Sequence, residues 1–185
     1  MPYLHSLRAG ASLIDVFKAF PETSTPLIEF HEVLLRGPSP FTAAERELIA
    51  AYVSGLNRCG FCHGVHTATA ERMGVEAGLL PRLVREDDLD GVVAKLRPVL
   101  ALARKLTVAP GSVTKADAEA VFAAGWDDAA LYYAVAVTAL FNFMNRLVEG
   151  LGIELEPSYV GPASQRLAER GYLPLLEMMK GGRSS

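Results

Sequence analysis

Helix punctuation runs through this chain, and strand signals are nearly absent. Thr42-Ala-Ala-Glu45 has capping-box spacing, in which a hydroxyl and a carboxylate each satisfy one orphan backbone N–H. It opens a helix expected to reach about Leu56. Asn57 is expected to cap a second helix, from about Arg58 to Met73, that stops at Gly74. Residues 94–106 are apolar at helical spacing, Thr114-Lys-Ala-Asp117 opens a helix ended by Gly125, and Asp127 caps a long one over 128–149, ended by Gly150. Shorter helices are expected at 11–20, 26–35, 162–170 and 173–179. No Asn-Gly hairpin turn and no alternating β-branched run competes with them. The pattern implies an all-α fold, a packed helical bundle.

At 185 residues, half of them hydrophobic, the chain suits a single helical domain over residues 1–180. A half bearing the cysteines (about 25–84) and a second half (about 91–155) are separated by an acidic surface linker at 85–90. A helical extension follows at 156–180, and 181–185 reads as a frayed tail. A net charge of −3 provides no basic field for nucleic acid and no polybasic membrane anchor. The N-terminus lacks a charged segment followed by an apolar one, and the most apolar run, 129–141, is too short to span a bilayer. The expected location is cytoplasmic.

The only two cysteines, Cys59 and Cys62, sit three residues apart. A bridge between them closes a tiny loop, so it restrains the unfolded chain little and makes a poor structural staple. In a reducing compartment such a pair reads as redox-active or metal-binding. Cys59 falls at the start of a helix, where unpaired N–H groups favour a thiolate. His66 lies four residues beyond Cys62, on the same helix face, and can exchange a proton with its thiol near neutral pH. Zinc held by Cys59, Cys62, His63 and His66 is disfavoured because all four ligands fall within eight residues of one helix. The Cys-x-x-Cys-His haem pattern needs export that the sequence does not signal, and a thioredoxin-like reading needs a βαβ context. No metal or organic cofactor is expected.

On the preceding helix, Leu48, Ile49, Tyr52, Val53 and Leu56 form an apolar stripe, while Glu47 shares a face with Ala43, Ala50 and Ser54. Such small residues let a neighbouring helix come close, and a carboxylate in that crevice can raise a histidine's pKa. The competing reading is a solvated Glu47. Tyr52 and Trp126 read as core aromatics, whereas Asn142 and Asn145 either line a site or satisfy backbone groups.

Glu47, eleven residues, Cys59-x-x-Cys62, three residues, His66: this pattern resembles the motif of AhpD-like alkylhydroperoxidases, in the carboxymuconolactone decarboxylase superfamily. The stretch from Leu100 through Phe141-Asn-Phe-Met-Asn-Arg146 resembles the later half of peroxidase-related members, and together the resemblance covers about 25–155. It implies an AhpD-like helical bundle that assembles as a homo-oligomer, a trimer or hexamer. It also implies reduction of hydroperoxides at the expense of an external dithiol of lipoyl or thioredoxin type. By position, Cys62 resembles the peroxidatic cysteine, Cys59 its disulfide partner, and His66 with Glu47 the proton relay. Phe61 stands where the best-known members carry a histidine. A carboxymuconolactone-decarboxylase-like activity and a non-enzymatic thiol redox sensor are the alternative readings.

Overall fold

The structure is a computed structural model that describes residues 2–86 and 89–181. Ten α-helices and no strand are found among them. They are α1 (Leu13–Ala19), α2 (Pro21–Arg36), α3 (Ala43–Leu56), α4 (Gly60–Arg72), α5 (Leu79–Glu86), α6 (Arg97–Val108), α7 (Lys115–Ala123), α8 (Asp128–Gly150), α9 (Pro157–Arg170) and α10 (Pro174–Lys180). The expected tail at 181–185 falls, apart from Gly181, outside the described residues. So do two residues of the expected linker, whose first two, Arg85 and Glu86, belong instead to the end of α5.

The capping boxes form as read: Thr42 and Glu45 close reciprocally at 2.8 and 3.2 Å, and Thr114 pairs with Asp117 in the same way. Two helices begin earlier than expected, α2 at Pro21 and α9 at Pro157. In each, the first proline takes the N1 position, where its missing N–H is harmless, and the proline read as the start lies inside the helix. Asn57 does not cap α4. It is the C-cap of α3, and Cys59 is the N-cap of α4.

The cysteine turn is built from the end of α3. Arg58 N–H bonds to Gly55 O at 2.9 Å and Cys59 N–H to Ser54 O at 3.0 Å, the paired bonds of a Schellman motif. Arg58 takes the left-handed position at φ 57, where glycine is usual. The residue that closes one helix's last turn therefore opens the next helix, and no slack separates them. Asn57 faces α8 instead, donating to Asn145 Oδ1 at 2.9 Å and to Asn142 Oδ1 at 3.1 Å.

α3 is the central helix, with every residue from Arg46 to Gly55 buried. It packs on α4, α8, α6 and α5, so its small-residue face is covered as well as its apolar stripe. A Cβ at Gly55 would run into Val84 and His63, which shows how closely the neighbours approach. Arg46, buried, donates to Leu34 O and Gly37 O at 2.9 and 2.8 Å and so satisfies the end of α2. The apolar run 129–141 belongs to the 23-residue α8, long and apolar enough to cross a membrane by length and composition, yet packed here on α3 and α6. α9 lies on α4, and α10 lies on α1 and α2, closing the cysteine-bearing face of the bundle.

Candidate active site

Glu47 is fully buried, so the solvated reading fails and the crevice reading stands. Its Oε2 lies 2.7 Å from His66 Nδ1. Its Oε1 accepts from Arg36 Nη2 at 2.6 Å and from the Tyr172 hydroxyl at 2.8 Å. Burial pushes the carboxyl pKa up, but His66 and Arg36 together outweigh it and hold the group at about 2. Arg36 is further tied down by its own donations to Leu35 O and Leu167 O, and its guanidinium lies 5.0 Å from the Tyr172 ring. Burial pushes the Tyr172 phenol well above its ordinary value, and the adjacent carboxylate adds to that, so Tyr172 stays a neutral donor.

His66 stands on α4 one turn past Cys62, and both line an apolar cavity with Phe61, Val65, Phe141 and Met144. Phe141 meets the imidazole edge-on at 4.6 Å. With Nδ1 fixed by a carboxylate, the ring presents Nε2 as the nitrogen free for proton exchange. His63 is turned away, its Nδ1 2.9 Å from Ala51 O on α3, as expected from its position one residue around the helix.

The two thiols are unequal. Cys59 is wholly buried and absent from the cavity wall, whereas Cys62 lines it. The hydrogen bond from the Cys62 thiol lowers the Cys59 pKa, with further help from the Cys62 backbone N–H. The Cys62 thiol is pushed well up, first by donating that bond and then by burial. Of the two sulfurs, Cys59 therefore gives up its proton the more readily. Asn145 reaches the Cys62 thiol and also donates to Ser54 Oγ at 2.9 Å, so it belongs to the site. Asn142 instead donates to Thr107 Oγ1 and Thr138 O. Tyr52 is core, and Trp126 packs on Phe41 with its indole N–H on Lys95 O, far from the cavity in role.

The structure thus brings Glu47 to His66, Cys59 to Cys62, and Cys62 and His66 to one cavity. Sequence reading missed Arg36, Tyr172 and His31, a second histidine on the cavity wall. His31 was within reach, because Ile28, His31 and Leu35 recur at the spacing of one buried face of α2. Arg36 reads only as a helix-end cation, and nothing local marks Tyr172, whose partner Glu47 lies 125 residues away.

Residues 21–105 match the carboxymuconolactone decarboxylase family. No curated protein matches the chain. Among solved structures, an uncharacterized peroxidase-related protein from Silicibacter sp. TM1040 is similar with a TM-score of 0.75 and 26% identity, over 80% of this chain and 78% of its own. An uncharacterized peroxidase-related protein from Ralstonia eutropha JMP134, an alkylhydroperoxidase AhpD core, gives 0.72 and 24%, over 78% and 76%. A protein of unknown function from Agrobacterium tumefaciens, a candidate antioxidant defence protein AhpD, gives 0.69 and 17%, over 79% and 100%. The last two speak for the fold alone.

Proposed function

For a chain that belongs to the AhpD-like carboxymuconolactone decarboxylase superfamily, its family match falling on residues 21–105, we propose a thiol-dependent hydroperoxide reductase. The observation that carries this reading is a cavity walled by one sulfur of a cysteine pair and by a histidine bonded to a buried carboxylate. Peroxide reaches Cys62, not Cys59, because only Cys62 faces the cavity.

Cys62 gives its proton to His66, whose Glu47 partner stabilises the resulting imidazolium. The sulfur attacks the terminal peroxide oxygen, an S–O bond forms, the O–O bond breaks, and His66 returns the proton to the leaving alkoxide. Cys62 is now a sulfenic acid. The Cys59 thiolate attacks it, the disulfide closes, and the departing hydroxide takes one proton from solvent through the same histidine. The peroxide gains two electrons and the cysteine pair loses two. An external dithiol then restores the pair by exchange. Because Cys59 and Cys62 are 0% and 2% exposed, a slim lipoyl-type arm suits the access better than a folded thioredoxin surface.

The decisive experiment is steady-state consumption of cumene hydroperoxide with dihydrolipoamide. Turnover by the wild type, its loss in Cys62→Ser, and a dimedone-trappable sulfenic acid in Cys59→Ser are expected. A single oxidation without turnover would make the pair a sensor, and trapping only in Cys62→Ser would reverse the two roles. We further propose a homo-oligomer, trimeric or hexameric. Phe30 and Val33 on α2 and Tyr132 and Phe143 on α8 are left exposed, and assembly would cover such side chains. A monomer mass by light scattering at micromolar concentration would sink this.

A further inference from the structure

The cavity wall holds a second imidazole that this mechanism leaves idle. His31 projects from the buried face of α2 and is only 6% exposed. Its Nδ1 lies 2.7 Å from Leu27 O. A carbonyl can only accept, so Nδ1 carries the hydrogen, and in the neutral ring Nε2 is left as a bare acceptor. Burial, with His66 adding to it, draws the His31 pKa down to about 4, which keeps the ring neutral at pH 7. His31 and His66 are flanked by the same two aromatic rings. Phe141 stands edge-on to both, at 6.0 and 4.6 Å, and Tyr172 lies 5.3 and 6.5 Å from them. Both imidazoles and Cys62 wall one cavity whose other lining is mainly apolar, Leu13, Phe17 and Ile28 among it.

We propose that His31 Nε2 accepts a hydrogen bond from the terminal hydroxyl of an apolar organic hydroperoxide bound against Cys62, an inference that rests on the peroxide-reducing reading of this cavity. The two histidines then divide the substrate. His31 holds the O–H of the oxygen that sulfur attacks, and His66 serves the oxygen that leaves. The attacked oxygen keeps its hydrogen throughout and carries it into the sulfenic acid, so His31 transfers no proton. A ring that has to accept and never donate is best kept neutral, and burial on α2 does this. His31 is a substrate-positioning residue on this account, and it favours a hydroperoxide with a free O–H and a hydrocarbon body.

Two rates on the reduced protein test this. One is disulfide formation with cumene hydroperoxide. The other is thiomethylation of Cys62 by methyl methanethiosulfonate, which has no hydroxyl to offer, followed by peptide mass. His31→Phe, which keeps a ring against Tyr172 and Phe141, should slow the first by about tenfold to a hundredfold and leave the second within about threefold. His31→Gln, whose side-chain oxygen still accepts, should recover most of the loss. Equal slowing of both rates, or slowing of neither, overturns the proposal. A measurement on the wild type stands even if His31→Phe does not fold. Cumyl alcohol, a donor, should protect Cys62 from thiomethylation at least about fivefold better than its methyl ether, and equal protection overturns the proposal. Wild-type protein that is thiomethylated but never oxidised by a hydroperoxide would remove the peroxide reading and this one together. Oxidation of the wild type with an unchanged ratio in the variant removes only the role of His31.

Discussion

Glu47 on α3 and Asp117 on α7 both ionise at about pH 2, and they arrive there by opposite routes. Asp117 sits at the surface. Lys105 Nζ contacts its two oxygens at 2.9 and 2.7 Å, and the Thr114 N–H and hydroxyl reach it from the start of α7. The lysine and the cap outweigh the small opposing effect of its partial burial. Glu47 is buried, and burial works against ionisation until Arg36 and His66 overcome it. A depressed carboxyl pKa is therefore no mark of a site in itself. Asp117 neutralises a lysine and caps a helix, whereas Glu47 holds its charge beside a histidine that shares a cavity with a thiol.

The largest contrast should come from neutralising each carboxylate. Glu47→Gln strands the Arg36 guanidinium, whose side chain is 13% exposed, without its counter-charge, and a loss of about 3–5 kcal/mol in unfolding free energy is expected by denaturant titration. Peroxide turnover should fall about a hundredfold in the same variant, because the His66 imidazolium loses its counter-charge. A variant as stable as the wild type would mean that the buried pair is not what holds α2, α3 and the Tyr172 segment together.

The next effect separates a relay from two independent contributors. His66→Ala should lower kcat/KM for cumene hydroperoxide by about a hundredfold or more. Combined with Glu47→Gln it should lose little further, since Glu47 acts only through His66. Losses that multiply in the double variant would remove Glu47 from the relay and leave it a purely structural partner of Arg36.

Acid titration of stability should show two separate declines. An unfolded chain protonates His31 near 6.5 and the folded one only near 4, so the unfolded state binds more protons in that window and stability falls as pH drops through it. The full decline amounts to about 3 kcal/mol, and His31→Phe should flatten it. Glu47 acts lower. Its contribution is complete above 4.5 and is lost as pH falls toward 2. Asp117→Asn should leave the upper window untouched.

Elements announced by local chemistry were legible in the sequence. Thr42 with Glu45, Thr114 with Asp117, and Asp127 each reach only three residues along the chain, so sequence spacing is enough to place them. Glu47 and His66 were legible as a pair through the family resemblance, whereas the small residues on Glu47's face left burial and solvation equally open. Asn57 was misread because its side chain serves α8, 85 and 88 residues away, and not its own turn. Arg36 and Tyr172 come to Glu47 through helix packing that no local signal encodes. The roles of the two thiols were assigned through the resemblance and the nearness of His66 to Cys62, not through any local sign of which sulfur meets a cavity. Helix position favours ionisation at Cys59, and the hydrogen bond from Cys62 acts in the same direction, but only the closing of α9 and α10 over the bundle decides which sulfur meets a cavity.

Neutralising the surface carboxylate should cost least of all. Asp117→Asn removes a charge that Lys105 and the α7 cap share at the surface, with side chains 34% and 21% exposed for the lysine and aspartate. Surface pairs of this kind are screened by salt, and the Debye length shrinks from about 10 Å at 0.1 M to about 3 Å at 1 M. The variant should therefore melt slightly below the wild type at low ionic strength, and the gap should narrow as salt is added. Turnover should not change, because Asp117 bonds only Lys105 and its own cap among the described residues and neither lines the thiol cavity. The buried Arg36–Glu47 pair, shielded from mobile ions, should show no such salt dependence. If Asp117→Asn lowered kcat/KM, the α6–α7 hairpin would be coupled to the cavity through α8, the helix that carries Phe141 and Asn145 and that both α6 and α7 contact. The two carboxylates would then belong to one device, and the division drawn between them would fail.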